Sequence, residues 1–110
     1  MKLISSMVRP DKVEGIKEGL GRVHVFAITV SEVHDHAPQK HGTAVWRGHE
    51  YINGSSPKME IQVVVHDDDV DGVIDVIMKA ARTGQAGDGH VCVIGIDHRY
   101  DICTGRRDVS

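Results

Sequence analysis

The sequence predicts a two-layer α+β domain in which a β-α-β unit occurs twice. Two segments carry apolar residues at helical spacing, and short segments rich in Val and Ile flank each of them. The chain has 110 residues, which is the size of one domain. Two successive βαβ units with right-handed crossovers place both helices on one face of a single sheet. We therefore expect a ferredoxin-like sandwich that forms one domain over residues 1–110.

The first unit begins with a strand over Lys2 to Val8, which Pro10 ends. From Asp11 onward, apolar residues recur at helical spacing opposite charged ones, so an amphipathic helix follows and ends near Gly21. Residues 24–33 are apolar and β-branched. They predict a buried second strand.

The second unit repeats this order. Residues 58–65 alternate and then become fully apolar, as in a strand that enters a core. The acidic run Asp67 to Asp69 suits the start of a helix, by capping and by charge, and apolar spacing continues that helix to Ala81. A strand over residues 90–96 and a short C-terminal strand from Arg99 to Cys103 complete the predicted fold.

A long segment without a regular pattern, from His34 to Pro57, separates the two units. Loops of this length in compact domains usually carry function, so we expect an effector loop over about residues 37 to 55. Trp46 and Tyr51, with Arg47 between them, are typical anchors for a protein partner. The alternative is that both aromatic rings fold back onto the domain as a small cluster.

Charge and composition argue against several classes of function. Thirteen basic and sixteen acidic residues give a net charge of -3, unlike a general nucleic-acid or anionic-membrane binder. No apolar run reaches the roughly 20 residues of a membrane span, and the N-terminal residues do not resemble a signal peptide, so we expect a cytoplasmic protein. Cys92 and Cys103 are too few for a disulfide scaffold and are expected to be reduced.

The strands over residues 24–33 and 58–66 are apolar on both faces, although helices cover only one face of the predicted sheet. Association of several copies through the open face is the simplest way to bury the other side. The sequence therefore predicts a homo-oligomer.

The segment from Thr83 to His90 contains three glycines, Gly84, Gly87 and Gly89. Glycines at this density allow several backbone N–H groups to converge on an anion. A P-loop would continue with Lys and Ser or Thr, whereas this chain continues with His90 and Val91. The segment therefore indicates either an anion-binding turn of another kind or a flexible connection.

The remaining polar residues give no catalytic constellation. Neither cysteine has a His and an Asp or Asn that the sequence places beside it, so no enzyme is predicted. Histidines in and before the loop leave a metal-binding protein or small enzyme open as an alternative, although their spacing matches no known ligand set. They are His34, His36, His41 and His49.

A series of short motifs, in the same order along nearly the whole chain, resembles the PII nitrogen-regulatory signalling proteins. The motifs are Arg9-Pro10 with Lys12, residues 29–33 (TVSEV), Gln39-Lys40, residues 46–51 (WRGHEY), Pro57-Lys58, residues 80–84 (AARTG) and residues 87–89 (GDG). The resemblance implies a homotrimer that binds an adenine nucleotide in the clefts between subunits and needs no cofactor. It also implies that the long loop docks onto a transporter or a metabolic enzyme.

The resemblance assigns roles to individual residues. Thr29, Gln62 and the backbone of Val64 are expected around the adenosine, with Gly87, Asp88 and Gly89 around the phosphates and Gln39 near the phosphates or a magnesium ion. Tyr51 matches a loop tyrosine that some bacterial members carry in modified, uridylylated form. Lys58 matches the residue that pairs with 2-oxoglutarate.

Four positions depart from the family pattern. Basic side chains that typically hold the triphosphate are replaced by Pro38, His90, Asp101 and Cys103. Arg99, on the same strand face as residues 101 and 103, is expected to restore part of this charge together with Arg106 and Arg107, which follow it. The loss of charge-assisted hydrogen bonds predicts a preference for ADP or AMP over ATP.

This pattern resembles the divergent PII-like proteins associated with carboxysomes or bicarbonate transport. The space near Lys58, Gln39 and Gly87 then suits a small anion such as bicarbonate. Two alternatives remain at this point: a conventional nitrogen regulator that senses ATP, ADP and 2-oxoglutarate through magnesium, and a trimer that has lost its ligands.

Overall fold

The computed structural model describes residues 1–36 and 55–108. The elements are β1 (Lys2–Val8), α1 (Val13–Leu20), β2 (Ala27–His36), β3 (Ser55–Val65), α2 (Val70–Ala81) and β4 (Gly89–Gly95). The four strands form one sheet in the order β2-β3-β1-β4, and all neighbouring strands are antiparallel. Both helices pack on one face of this sheet. The predicted ferredoxin-like α+β fold is confirmed.

The core lies between the two helices and the central strands. In β1 the residues Ile4 and Val8 are buried, and the buried Ser6 between them donates its hydroxyl to the carbonyl oxygen of Ile61 at 3.2 Å. The helices contribute apolar residues at spacings of three and four: Val13, Ile16, Leu20, Val73, Ile77 and Ala81. The helical periodicity read from the sequence therefore identifies the core face of both helices.

The acidic run before α2 has a different role from the one predicted. Asp67–Asp69 form a short 3-10 turn, and no side-chain hydrogen bond caps α2. Asp67 instead accepts a hydrogen bond from the amino group of Met1 at 2.6 Å, and this bond lowers the pKa of its carboxyl group. The run therefore ties the start of α2 to the N-terminus of the chain.

The prediction of a buried second strand is wrong for the single chain. The strand begins at Ala27 and forms one edge of the sheet, where Ile28 is 36% and Val30 37% exposed. The other edge strand, β4, leaves Val93 and Ile94 exposed in the same way. Apolar composition does not reveal this difference, because the helices cover the central strands and leave the edges open.

The strands that border the predicted loop are longer than the sequence indicates. His34 pairs with Pro57, and backbone pairing continues to His36 and Ser55. The polar residues hide this extension because the two strands continue as a ribbon after their apolar part ends. The predicted loop residues Gln39, Trp46, Arg47 and Tyr51 lie outside the described residues.

The short last strand predicted from Arg99 to Cys103 does not join the sheet. These residues form a turn closed by a single bridge between Tyr100 and Arg107. The Asp101 carboxylate accepts a hydrogen bond from the Thr104 N–H at 3.0 Å, and Gly105 at φ +71° helps to reverse the chain. Local turn chemistry therefore overrides the apolar pattern.

Candidate functional site

The turn over residues 83–89 connects α2 to β4 and contains three glycines whose backbone conformation other residues rarely adopt. Gly84, Gly87 and Gly89 have φ of +89°, +96° and +110°, values that side chains strongly disfavour. At Gly89 a Cβ atom would also lie 1.7 Å from the carbonyl oxygen of Met7. The glycines are therefore required by the path of the backbone, and we call this segment the glycine turn.

The carboxylate of Asp88 points into the glycine turn. It accepts hydrogen bonds from the Thr83 hydroxyl at 2.5 Å, the Thr83 N–H at 2.8 Å and the Gly84 N–H at 2.9 Å. These bonds, the one from the Thr83 hydroxyl most strongly, hold the pKa of Asp88 well below its usual range. The carboxylate is therefore charged and already engaged by groups of its own turn.

Arg9 joins the glycine turn to the end of β1. Its Nε atom lies 3.2 Å from Asp88 Oδ1, and its Nη2 donates to the Ala86 carbonyl oxygen at 2.9 Å. In the sequence Arg9 belongs to the Arg9-Pro10 motif, which does not predict this contact. The contact depends on the pairing of Val8 with Gly89 across β1 and β4, which fixes the two segments side by side.

Part of the glycine turn leaves its backbone N–H groups without an internal partner. In the part of the chain that the structure describes, the N–H groups of Ala86, Gly87 and Asp88 have no hydrogen-bond acceptor, whereas those of Thr83, Gly84 and Gln85 are all engaged. Donors of this kind beside a guanidinium group favour a bound anion. The turn is therefore a candidate anion site.

A second group of predicted residues lies on the sheet face that the helices leave open, towards the edge strand β2. Thr29 is directly opposite Gln62, and Ala27 is opposite Val64. Gln62 Nε2 is 3.4 Å from Glu60 Oε2, which also accepts a hydrogen bond from the hydroxyl of Ser5 at 2.9 Å. We call the set of Thr29, Gln62, Val64 and Arg99 the β2-edge group.

Arg99 reaches this group through Phe26. The Phe26 N–H donates to the Val64 carbonyl oxygen at 3.0 Å, and the Arg99 guanidinium carbon lies 5.6 Å from the Phe26 ring centroid. His66 contacts the same ring, with centroids 4.7 Å apart. The sequence predicts no role for Phe26 or His66, because only the strand pairing places them together.

Arg99 is not a free cation. Its guanidinium pairs closely with the carboxylate of Asp108. Arg107, further along, contacts His98 at 3.3 Å. The positive charge expected from this part of the chain is therefore largely compensated at Arg99.

The glycine turn leads into the edge strand β4, whereas the β2-edge group lies at the opposite edge of the sheet, on β2 (Thr29) and its neighbour β3 (Gln62, Val64), with Arg99 beside them. Three inter-strand spacings separate β2 from β4, or about 14 Å. The structure therefore brings Thr29, Gln62, Val64 and Arg99 together, and Gly87, Asp88, Gly89 and His90 together. It does not bring the two sets into one cleft within a single chain.

Lys58 belongs to the same end of the sheet as the glycine turn. It lies on β3 opposite Val33, next to the row in which Met59, Val8 and Gly89 are aligned across three strands. Only 7% of Lys58 is exposed. Gln39, its predicted neighbour, is outside the described part of the chain.

The described residues hold neither a cluster of metal ligands nor a helix that could span a membrane. No three His, Cys, Asp or Glu side chains in residues 1–36 and 55–108 are grouped as ligands for a metal ion. Neither α1 nor α2 is long and apolar enough to cross a bilayer. His41 and His49, two of the histidines considered as ligands, lie outside these ranges.

The chain is similar over almost its full length to known regulatory proteins. A family model described as "Nitrogen regulatory protein P-II" matches residues 1–106. "Nitrogen regulatory protein P-II" from Rhizobium etli is 36% identical over 108 residues, covering 98% of this chain and 96% of the relative. "Nitrogen regulatory protein P-II 1" from Escherichia coli and "Nitrogen regulatory protein P-II" from Klebsiella oxytoca are each 38% identical with the same coverage.

Proposed function

The chain belongs to the nitrogen regulatory protein P-II family of signalling proteins, and from that premise we propose that it is a non-enzymatic regulator that binds an adenine nucleotide between subunits. In this proposal the protein is a cytoplasmic homotrimer. Residues 37 to 55, with Trp46, Arg47 and Tyr51, transmit the bound state to a transporter or a metabolic enzyme.

The observation that carries the proposal is the separation of the glycine turn from the β2-edge group. One group offers anion-binding donors and the other a polar row beside an aromatic ring, yet they occupy opposite edges of the sheet. If the β2 edge of one copy packs near the β4 edge of the next, the two groups form one cleft. Cyclic assembly of this kind repeats the same contact around a ring.

Both edges have apolar side chains that such packing would bury. Ile28 and Val30 are exposed along β2, and Val93 and Ile94 along β4. Exposed apolar residues on unpaired edge strands favour association with another chain. The interface that completes the ligand cleft thus also covers the edges.

The charges near the proposed cleft favour ADP or AMP over ATP. His90 and Asp101 stand where the family resemblance expects basic side chains, and the pairing of Arg99 with Asp108 removes a compensating cation. Each phosphate group adds negative charge that the cleft must neutralise. A nucleotide with fewer phosphate groups, ADP or AMP, should therefore bind more tightly than ATP.

A small anion such as bicarbonate is the effector that we propose beside the nucleotide. Lys58 and the glycine turn lie at the same end of the sheet, and Gly87 has an N–H group available there. A single carboxylate-sized anion needs only a few such donors. This effector would connect the protein to the carbon status of the cell.

Isothermal titration calorimetry tests these proposals. The purified assembly is titrated with ATP, ADP and AMP, each with and without bicarbonate or 2-oxoglutarate. We expect ADP and AMP to bind more tightly than ATP, with an affinity that bicarbonate changes. Gly87→Ala should abolish or strongly weaken binding, because the added Cβ lies 3.2 Å from Arg9 Nη2 at a φ of +96°.

The helical glycine Gly72 provides the control, since a Cβ there meets no atom within 4 Å. Gly72→Ala should bind as the wild type does. Tight ATP binding that 2-oxoglutarate strengthens would instead establish a conventional nitrogen sensor. The absence of any adenylate binding would contradict the proposed function.

A further inference from the structure

We propose that Arg9 and Asp88 form a positioning clasp, which fixes the glycine turn in its anion-binding shape before a ligand arrives. This inference rests on the proposed function for its ligand, but the clasp itself is a property of the single chain. In it Asp88 acts through the turn and makes no contact with the anion. Arg9 acts by holding Asp88 and Ala86 rather than as a general positive charge.

The Asp88 carboxylate already accepts several hydrogen bonds from the protein. It receives four hydrogen bonds, from the Thr83 hydroxyl, the Thr83 and Gly84 N–H groups and Arg9 Nε. Its side chain is only 20% exposed. A carboxylate in this position also repels an incoming anion, so direct ligand contact is unfavourable.

The backbone N–H groups of the glycine turn are engaged only in its first part. Asp88 takes the N–H groups of Thr83 and Gly84, and the Thr83 hydroxyl accepts from the Gln85 N–H at 3.2 Å. The N–H groups of Ala86, Gly87 and Asp88 have no acceptor among the described residues. Internal bonds thus engage the N–H groups of Thr83 to Gln85 and leave the later N–H groups of the turn without an acceptor in the described residues.

Arg9 contacts the glycine turn at two points. Two different nitrogen atoms of Arg9 bind two points of the turn, Asp88 Oδ1 at 3.2 Å and the Ala86 carbonyl oxygen at 2.9 Å. A guanidinium group can make both contacts at once, whereas a lysine ammonium on a flexible stem is a poor substitute for this geometry. Arg9 follows β1 directly, so the clasp transfers the rigidity of the sheet to the turn.

Substitution of Arg9 separates a clasp from a simple charge. We expect Arg9→Gln to weaken ADP binding roughly tenfold, because an anion must then order the turn as it binds. Arg9→Lys keeps the charge and loses the two-point contact, so it should lose nearly as much affinity as Arg9→Gln. Lysine restoring wild-type affinity would overturn the clasp.

Amide hydrogen exchange gives a readout that does not need a ligand. The N–H groups of Thr83 and Gly84 should exchange slowly in the wild type and faster in both Arg9 variants, because their acceptor is no longer fixed. Arg22→Gln is the matched control, since the contact of Arg22 in the described residues is an exposed ion pair with Glu18 of α1 at 3.4 Å, far from the glycine turn in the sequence. It should change neither exchange nor ADP affinity.

Thr83→Val provides a second, charge-neutral variant that removes one donor to Asp88. It should speed exchange at Gly84 and weaken ADP binding. Unchanged exchange in all three clasp variants, with circular dichroism showing folded protein, would overturn the proposal. If the wild type binds no adenylate, the proposed function fails, whereas the exchange data alone still decide whether the clasp exists.

Discussion

The central strands and the edge strands of this sheet differ in how completely one chain buries them. β1 and β3 bury Ile4, Ile61 and Val63 completely beneath the helices. β2 and β4 leave Val30 37% and Val93 44% exposed. The chain therefore completes its own core but not its edges, and the described candidate site residues lie at those edges or on the open face beside them.

The largest effect is expected where an edge strand meets a central strand without space between them. Gly89→Ala places a Cβ 1.7 Å from the Met7 carbonyl oxygen at a φ of +110°. Steric overlap with the backbone adds to conformational strain, so the free energy of unfolding should fall by about 4 kcal/mol or more. Urea denaturation measures this loss.

Gly84→Ala is the control, because it has a similar φ of +89° but no atom within 4 Å of the added Cβ. Strain alone should cost about 1 kcal/mol there. An equal loss for both variants would show that the contact between Gly89 and β1 does not matter.

The next effect compares two side chains that face each other across β2 and β3. Ile61 is fully buried, and Val30 opposite it is 37% exposed. Ile61→Ala should lower the unfolding free energy by about 2–5 kcal/mol, through lost burial and a cavity. Val30→Ala should cost less, about 1 kcal/mol in the separated chain, because the 37% of Val30 that is exposed there is buried only in an assembly that covers β2.

Denaturation together with analytical ultracentrifugation distinguishes these outcomes. Val30→Ala is expected to raise the dissociation constant of the assembly, whereas the effect of Ile61→Ala appears in the fold itself. An assembly that keeps its affinity in Val30→Ala would place the interface elsewhere than on the β2 edge.

The smallest effect concerns acid stability at the glycine turn. The folded-state pKa of Asp88 is lowered, chiefly by hydrogen bonding from Thr83, so its contribution to stability is fully present above the unfolded pKa of about 3.9 and is lost as the pH falls further. The stability difference between the wild type and Asp88→Asn should therefore be constant near neutral pH and shrink below about pH 4. Thermal unfolding across this range measures it, and a difference that is independent of pH would contradict the bonding described for Asp88.

Much of the fold followed from local patterns. Apolar residues at spacings of three and four located both helices, and Val13, Ile16 and Leu20 are indeed the buried face of α1. Pro10 and Gly21 marked the ends of β1 and α1 in the same way, whereas α2 ends at Ala81 with Arg82 as its C-cap and not at Gly84. Such signals depend only on neighbouring residues, so the chain reveals them without its tertiary contacts.

Other features needed the order of the strands. Residues 24–33 looked like a buried strand, but the sheet order places β2 at an edge. The segment from Arg99 to Cys103 looked like a strand, but the hydrogen bonds of Asp101 and the turn at Gly105 keep it apart from the sheet. Composition alone does not distinguish a strand between two neighbours from one with a single neighbour.

The sequence by itself determined the repeated βαβ order, the glycine turn and the family to which the chain is similar. Only the tertiary structure decided that Arg9 reaches Asp88, that Arg99 packs over Phe26, and that the two groups of candidate residues lie on opposite edges. The first set depends on residues close together in the chain. The second joins residues such as Arg9 and Asp88, 79 positions apart, which meet only because β1 and β4 pair across the sheet.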